Sequence, residues 1–235
     1  IRILNEAKDN TSEFELPKLS TSKNVFDDEI RKFYMGLKNI IKLDINISDD
    51  IRDLLMLGWL SCLEYISNYK KSGNGLKKRK YAKPRIITID DICEMLNIQY
   101  NNMYEDMRDN TINYDVKLYN DTCLNMKSID DKSISGIIFS PPYANCFDYT
   151  EIYKLELWFG DFVNEYSDLK KLRMKSLRSH LNGVDLNTED IELKTVDFLE
   201  RLIPVIEEKE LWSKKIPNMI RFYFHDMFTL LEECY

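Results

Sequence analysis

The stretch Ile137-Ile-Phe-Ser-Pro-Pro-Tyr-Ala-Asn-Cys-Phe-Asp-Tyr149 decides how the rest of the chain is interpreted. Its first three apolar residues predict a strand that is buried on both faces, as in a parallel sheet. This strand has to end at Pro141, because two consecutive prolines cannot donate hydrogen bonds to a sheet. Asp148 and Glu151 have the spacing of a capping box, which predicts the start of a helix. The order of strand, rigid turn and helix is typical of open α/β sheets, which bind ligands at the carboxyl ends of their strands.

The tetrapeptide Ser140-Pro141-Pro142-Tyr143, which follows an apolar strand, resembles the catalytic motif of the DNA amino-methyltransferases. These enzymes transfer a methyl group from S-adenosylmethionine to the exocyclic amine of cytosine or adenine. The resemblance is specific over residues 114–160, where further matching residues are Asn145, Asp148-Tyr149 and Leu155-Glu156-Leu157-Trp158.

The resemblance implies a site-specific DNA methyltransferase that acts on N4 of cytosine, because serine in the first position of the motif is more typical of the cytosine enzymes. Two alternatives stay open. One is an adenine-N6 DNA methyltransferase, and the other is a non-catalytic DNA-binding subunit of a restriction-modification-type system. The implied partners are double-stranded DNA with a flipped target base and a possible restriction-modification partner.

The resemblance also implies a role for each residue of the motif. The exocyclic amine of a base is a poor nucleophile, because its lone pair is delocalised into the ring. The Ser140 hydroxyl and the Pro141 carbonyl could accept its two N–H groups and aim the lone pair at the methyl donor. Pro142 would stiffen the turn, and Tyr143 would provide a ring on which the flipped base stacks.

Glycine is scarce, with seven residues in the chain, whereas this family carries a Gly-rich turn that approaches the methyl donor. Gly73-Asn74-Gly75 does not fit that turn, because it follows a helix and lies in a lysine-rich stretch. Asp121 matches the family's contact to the adenine of S-adenosylmethionine, and a simple turn aspartate explains it equally well. We therefore expect an interior fragment with an incomplete site for S-adenosylmethionine, inactive on its own.

Composition limits the remaining function classes. The net charge of −7 means that any DNA-binding face must be local. The five cysteines show no paired spacing and the two histidines have no ligand partners at suitable spacing, so we expect reduced thiols and no metal site. The sequence contains no apolar run of membrane-spanning length and no opening signal peptide, so we expect a cytoplasmic protein.

The expected fold class is α/β: a partial Rossmann-like methyltransferase sheet with a large helical insertion, helix-rich overall. We expect a helical subdomain at 1–110 and a partial catalytic domain at 111–235. The stretch 70–85 holds eight Lys or Arg residues and is either a solvated loop or a loop that contacts phosphates. A second basic region, the helical segment 167–182, is a candidate DNA-facing element.

Apolar residues at helical spacing predict the main helices. The first covers 26–41, and the second runs from a Ser48 cap to about Tyr69. Because the second is apolar nearly all round, we expect it to be the buried centre of the helical subdomain. The third starts at a cap formed by Thr88 and Asp91. One helix is expected over 149–166, and alternation predicts a strand over 114–118. A last helix starts near Pro217, and its predicted buried face is Ile220, Phe224, Met227, Phe228 and Leu231.

Overall fold

The computed structural model describes residues 2–9, 14–73, 75–80, 86–109, 115–183 and 193–235. Within these ranges lie the helices α1 (Arg2–Asp9), α2 (Asp28–Leu43), α3 (Asp49–Ile66), α4 (Ile89–Asp109), α5 (Tyr149–Ile152), α6 (Lys154–Phe159), α7 (Tyr166–Lys175), α8 (Asp197–Glu207) and α9 (Ile216–Cys234). The strands β1 (Tyr69–Ser72) and β2 (Gly75–Lys78) form an antiparallel pair. Two compact units result, one of residues 1–114 with 150–166 and the other of residues 115–149 with 167–235.

The capping residues predicted for α3 and α4 are confirmed. The Ser48 hydroxyl oxygen accepts a hydrogen bond from the Ile51 N–H at 3.4 Å. At α4, the Thr88 hydroxyl oxygen accepts from the Asp91 N–H at 3.1 Å, and the Asp91 carboxylate accepts from the Thr88 N–H at 2.8 Å. These bonds satisfy N–H groups that have no partner within the helix, which is why short-range sequence signals locate the helix starts. No helix of the described residues is long and apolar enough to cross a membrane.

A reciprocal contact between Tyr34 and Trp59 forms the core of the first unit. The Trp59 indole N–H donates to the Tyr34 carbonyl at 3.0 Å, and the Tyr34 hydroxyl donates to the Trp59 carbonyl. The two rings stack with centroids 4.5 Å apart. Both polar ends are thereby hydrogen-bonded in a fully buried site, which offsets the cost of desolvating them when the aromatic rings pack α2 on α3.

Helix α3 is less buried than predicted. Its apolar residues nearly surround the helix, but Ile51 and Leu57 are exposed while Trp59, Leu63 and Ile66 are buried. Helices α2, α4 and α6 and strand β1 all contact α3, so it does lie at the centre of the first unit, but part of its surface is exposed.

The single helix predicted over 149–166 is also wrong. Tyr153, with ψ of 21°, separates α5 from α6, and α6 ends at Gly160. A Cβ atom on Gly160 would lie 2.6 Å from both the Glu156 carbonyl oxygen and the Phe162 ring. The next residue, Asp161, has a φ of 62° and is held by Lys38 and Lys42, each 2.7 Å from its carboxylate. Tertiary ion pairs therefore stop the helix where periodicity alone would continue it.

Neither strand predicted for the partial Rossmann-like sheet is present in the described residues. Ile137, Ile138 and Phe139 are exposed and have no regular secondary structure, and the same holds for Val116 and Leu118. Tyr114, the first residue of the other predicted strand, lies outside the described residues. A strand requires a hydrogen-bonded neighbour, and within the described ranges only β1 and β2 pair with each other. The described fold is helix-rich with a small two-stranded sheet.

Gly58 allows α4 to approach α3 closely. A Cβ atom at this position would lie 2.3 Å from Cε1 of Tyr100, whose hydroxyl donates to the Leu55 carbonyl at 2.9 Å. The ring of Tyr100 therefore lies directly over the backbone of α3, and any side chain at position 58 would displace it.

We expect Gly58→Ala to destabilise the protein by about 1–3 kcal/mol, because the added methyl group overpacks this contact. In a Tyr100→Ala background the same substitution should instead stabilise by up to about 1 kcal/mol, because only the higher helix propensity of alanine is left. Urea denaturation of the four proteins measures both values. Equal effects of Gly58→Ala in the two backgrounds would contradict the role given to Tyr100.

Candidate active site

The motif Ser140–Tyr143 lies in an irregular segment of the second unit, shortly before α5. Ser140 is exposed, Pro141 and Pro142 are half-buried, and the side chain of Tyr143 is 73% exposed. The hydroxyl and the aromatic ring are therefore accessible, while the prolines between them contact the protein. Since this segment is not in a sheet, other contacts must hold the motif in place.

The first of these contacts is made by Tyr223 of α9. Its hydroxyl donates a hydrogen bond to the Pro142 carbonyl at 2.9 Å. Burial raises the pKa of Tyr223, so the phenol keeps its proton and stays a donor at neutral pH. One carbonyl of the motif is thus fixed by a residue 81 positions further along the chain.

The second contact is at Cys146, in the turn that follows the motif. The Cys146 N–H donates to the Ser179 carbonyl at 3.1 Å, and its sulfur lies 3.5 Å from the sulfur of Met219. Cys146 has a φ of 64°, which is an unfavourable conformation for a residue with a side chain. The Asn145 side chain supports the turn by accepting a bond from the Phe147 N–H at 3.2 Å.

The third contact is the buried carboxylate of Asp148. Its Oδ2 atom lies 3.0 Å from Nε of Arg173 and accepts a hydrogen bond from the Asn182 amide at 2.9 Å. His180 is buried beside it, with Nδ1 3.7 Å from the same oxygen. Burial lowers the pKa of His180, so its imidazole is neutral at pH 7 and Arg173 balances the charge of Asp148.

A buried ion pair between Arg178 and Asp226 fixes the segment that supplies these partners. Nε of Arg178 donates to both Asp226 oxygens at 3.1 and 3.0 Å, and the Arg178 backbone N–H donates to Oδ2 at 2.9 Å. The guanidinium also lies 4.4 Å from the centroid of the Phe222 ring. Arg178 is therefore bound to α9 through its backbone, its charge and its planar face.

These pairs change the interpretation of the basic region 167–182. Arg173 and Arg178 are engaged in ion pairs within the unit, and His180 is buried. Lys170, Lys171 and Lys175 are exposed. Contact of this region with DNA stays a prediction, and the exposed lysines are the side chains that could make it.

Asp121 forms a local turn. Its carboxylate accepts a bond from the Thr122 N–H at 2.8 Å and one from the Ser128 hydroxyl at 3.1 Å. Gly73, with a φ of 59°, lies at the turn between β1 and β2 and not between a strand and a helix. Gly73 therefore does not lie in a turn of the cofactor-binding kind, and binding of S-adenosylmethionine by Asp121 stays a prediction.

Sequence reasoning missed the face of α9 that contacts the motif. The buried residues of this helix are Pro217, Met219, Phe222, Tyr223, Asp226 and Leu230. The predicted face is rotated away from them, and its member Leu231 is 49% exposed. Tyr223 and Asp226 lie on the buried face of α9, and their polar atoms interrupt its apolar pattern. The pattern of apolar residues therefore does not identify this face. Their partners are 81 and 48 positions distant, so spacing alone carries no signal for these contacts.

Comparison with known proteins identifies relatives over most of the chain. The Type II methyltransferase M.AvaI of Nostoc sp. is 28% identical over 214 residues, which cover 79% of this chain and 44% of the relative. The protein of the same name from Anabaena variabilis matches equally well. The Type II methyltransferase M.BsoBI of Geobacillus stearothermophilus is 25% identical over 139 residues, which cover 51% of this chain and 27% of the relative.

The chain thus spans less than half the length of these relatives. No family model matches the chain, and no solved structure matches it significantly. The similarity to the named relatives supports a methyltransferase family.

We expect Asp226→Asn to destabilise the protein by about 3 kcal/mol, because it leaves the charge of Arg178 without its buried partner. Glu207→Gln is the matched control: it makes the same chemical change in the Arg221–Glu207 pair, which is more exposed and 3.5 Å long. The control should cost less than about 1 kcal/mol. Denaturation by urea compares the two variants, and equal losses would contradict a special role for Asp226.

Proposed function

We propose that the chain carries the catalytic motif of a DNA methyltransferase that transfers a methyl group to N4 of a flipped cytosine. The observation that carries this proposal is the Ser140-Pro-Pro-Tyr143 motif, with its hydroxyl and ring accessible and its carboxyl-terminal side held by α9. The relatives named Type II methyltransferases support the proposal, over 79% of the chain for the two named M.AvaI and over 51% for M.BsoBI. S-adenosylmethionine is the proposed methyl donor, and double-stranded DNA is the proposed substrate.

In this proposal, the Ser140 hydroxyl oxygen and the Pro141 carbonyl accept the two N–H groups of the target amine. These bonds turn the amine out of conjugation with the ring, so that its lone pair becomes available for the incoming methyl group. The Pro142 carbonyl is assigned to positioning, since it accepts the Tyr223 hydroxyl. Tyr143 stacks on the extruded base and offsets part of the cost of unstacking it, which is a few kcal/mol. The contribution of this chain is therefore positioning and electrostatic stabilisation of a developing positive charge.

The base specificity rests on the serine of the motif, and an adenine-N6 enzyme is the alternative within the same class. The described residues contain no Gly-rich turn between a strand and a helix, where the resembled family binds the methyl donor, and we assign the donor no step in their chemistry. That observation also favours a second candidate function, a non-catalytic DNA-binding subunit of a restriction-modification-type system. Such a subunit would bind DNA and transfer no methyl group.

Ser140→Ala tests the proposal in the full protein. We expect the rate of methyl transfer to DNA at saturating substrate to fall about 100-fold, because one of two groups that orient the amine is lost. Ser135→Ala, which changes an exposed serine of the same segment, is the control and should leave the rate unchanged. Mass spectrometry of the nucleosides distinguishes N4-methylcytosine from N6-methyladenine. Undiminished methylation by Ser140→Ala rules out the catalytic assignment, and absence of methylation by the wild type favours the DNA-binding subunit.

Tyr223→Phe tests the positioning of the motif by α9. Loss of the hydroxyl removes the bond to the Pro142 carbonyl, and we expect kcat to fall about fivefold, the equivalent of one hydrogen bond. The KM for DNA should stay unchanged, because Tyr223 would not touch the substrate. Tyr119→Phe, at an exposed position of the same unit, is the matched control. A change in KM with kcat preserved would show that Tyr223 acts on binding instead of positioning.

A further inference from the structure

Strands β1 and β2 form a hairpin in the basic stretch 70–85, for which the composition predicts either a solvated loop or a loop that contacts phosphates. Strands β1 and β2 pair in the register Tyr69–Lys78, Lys70–Lys77, Lys71–Leu76 and Ser72–Gly75. Residues 81–85 of the stretch lie outside the described residues.

Two cations of the hairpin fix it to the helices of the first unit. Lys71 Nζ lies 2.6 Å from the Glu156 carboxylate and 4.2 Å from the centroid of the Tyr153 ring. Arg79 donates to the carbonyls of Ser67 and Tyr69 at 3.2 and 3.0 Å through Nε. Its Nη2 atom donates to the Glu64 carbonyl at 3.1 Å. The hairpin is therefore held against α3 and α6 by Lys71 in β1 and by Arg79, which directly follows β2.

The other lysines of the hairpin are exposed. Lys70 and Lys77 lie directly opposite each other, and successive side chains of a strand point to opposite faces. Because Lys71 faces the helices, Lys70 and Lys77 share the face turned away from them. No carboxylate of the described ranges forms an ion pair with Lys70 or Lys77, and like charges directly opposite each other destabilise a sheet.

We infer that the face formed by Lys70 and Lys77 binds the phosphodiester backbone of DNA. This inference rests on the proposed function, because it takes DNA as the substrate. The chain as a whole has a net charge of −7 and repels a polyanion, so attraction has to come from a local concentration of positive charge. Bound phosphates would relieve the repulsion between the two ammonium groups. Lysine is a mobile point charge, so this face supplies affinity without reading sequence.

The test is the salt dependence of DNA binding by the full protein carrying Lys70→Gln and Lys77→Gln together. The slope of log K against log salt concentration should become shallower by about 1.8, since each phosphate contact contributes about 0.9. Affinity should fall by the same factor on duplexes with and without the recognition site, because contacts to phosphates do not read the base sequence. The melting temperature should be equal to or higher than that of the wild type, because the like-charge pair is removed.

Lys23→Gln with Lys32→Gln is the control, because it makes the same change in net charge at two exposed positions of the same unit. An unchanged slope in the hairpin variant overturns the inference, as does an equal change in the control. If the hairpin binds an acidic protein surface instead of DNA, the slope of log K for DNA binding against log salt concentration will be the same in the variant and the wild type. That result would overturn the inference. Failure of the proposed function is a separate observation, namely wild-type protein that binds DNA and transfers no methyl group.

Discussion

The geometry around the motif depends on the buried pairing of Asp226 with Arg178. Ser140–Tyr143 belongs to a segment without sheet hydrogen bonds, and backbone of this kind is free to move unless side chains hold it. Asp226 ties the segment around Arg178 to α9, and this segment supplies the Ser179 carbonyl that binds Cys146. The Asp226 carboxylate therefore stabilises, through Arg178 and Ser179, the position of Cys146 next to the motif.

The sequence predicted contacts between residues a few positions apart, but it did not predict contacts between residues that are far apart in the chain. The starts of α3 and α4 depend on side chains within three positions of the bonds they make, so Ser48 and Thr88 were sufficient to predict them. The end of α6 depends on Lys38 and Lys42, which lie more than a hundred positions from Asp161. Sequence patterns contain no information about such partners, and helical periodicity continued past the true end of the helix.

The strand predictions failed for a related reason. An alternating or apolar pattern shows that a segment is able to lie in a sheet. The pattern does not show whether a second strand is present to pair with the segment. Conversely, half of the residues of β1 and β2 are lysines, and Tyr69 is their only residue of a type enriched in strands. They pair because Lys71 and Arg79 find carboxylate and carbonyl partners on the adjacent helices. The motif was recognised by its residues, while the groups that hold it, Tyr223 and Asp226, became visible only with the fold.

The exposure of Ile137, Ile138 and Phe139 has a consequence for handling the protein in solution. These three adjacent β-forming side chains are not covered by other described residues. Such a segment can pair, strand to strand, with the same segment of another molecule. The prolines at 141 and 142 stop such pairing from extending further along the chain, because they offer no N–H group. As the protein concentration rises, this exposed apolar segment is therefore where self-association would begin.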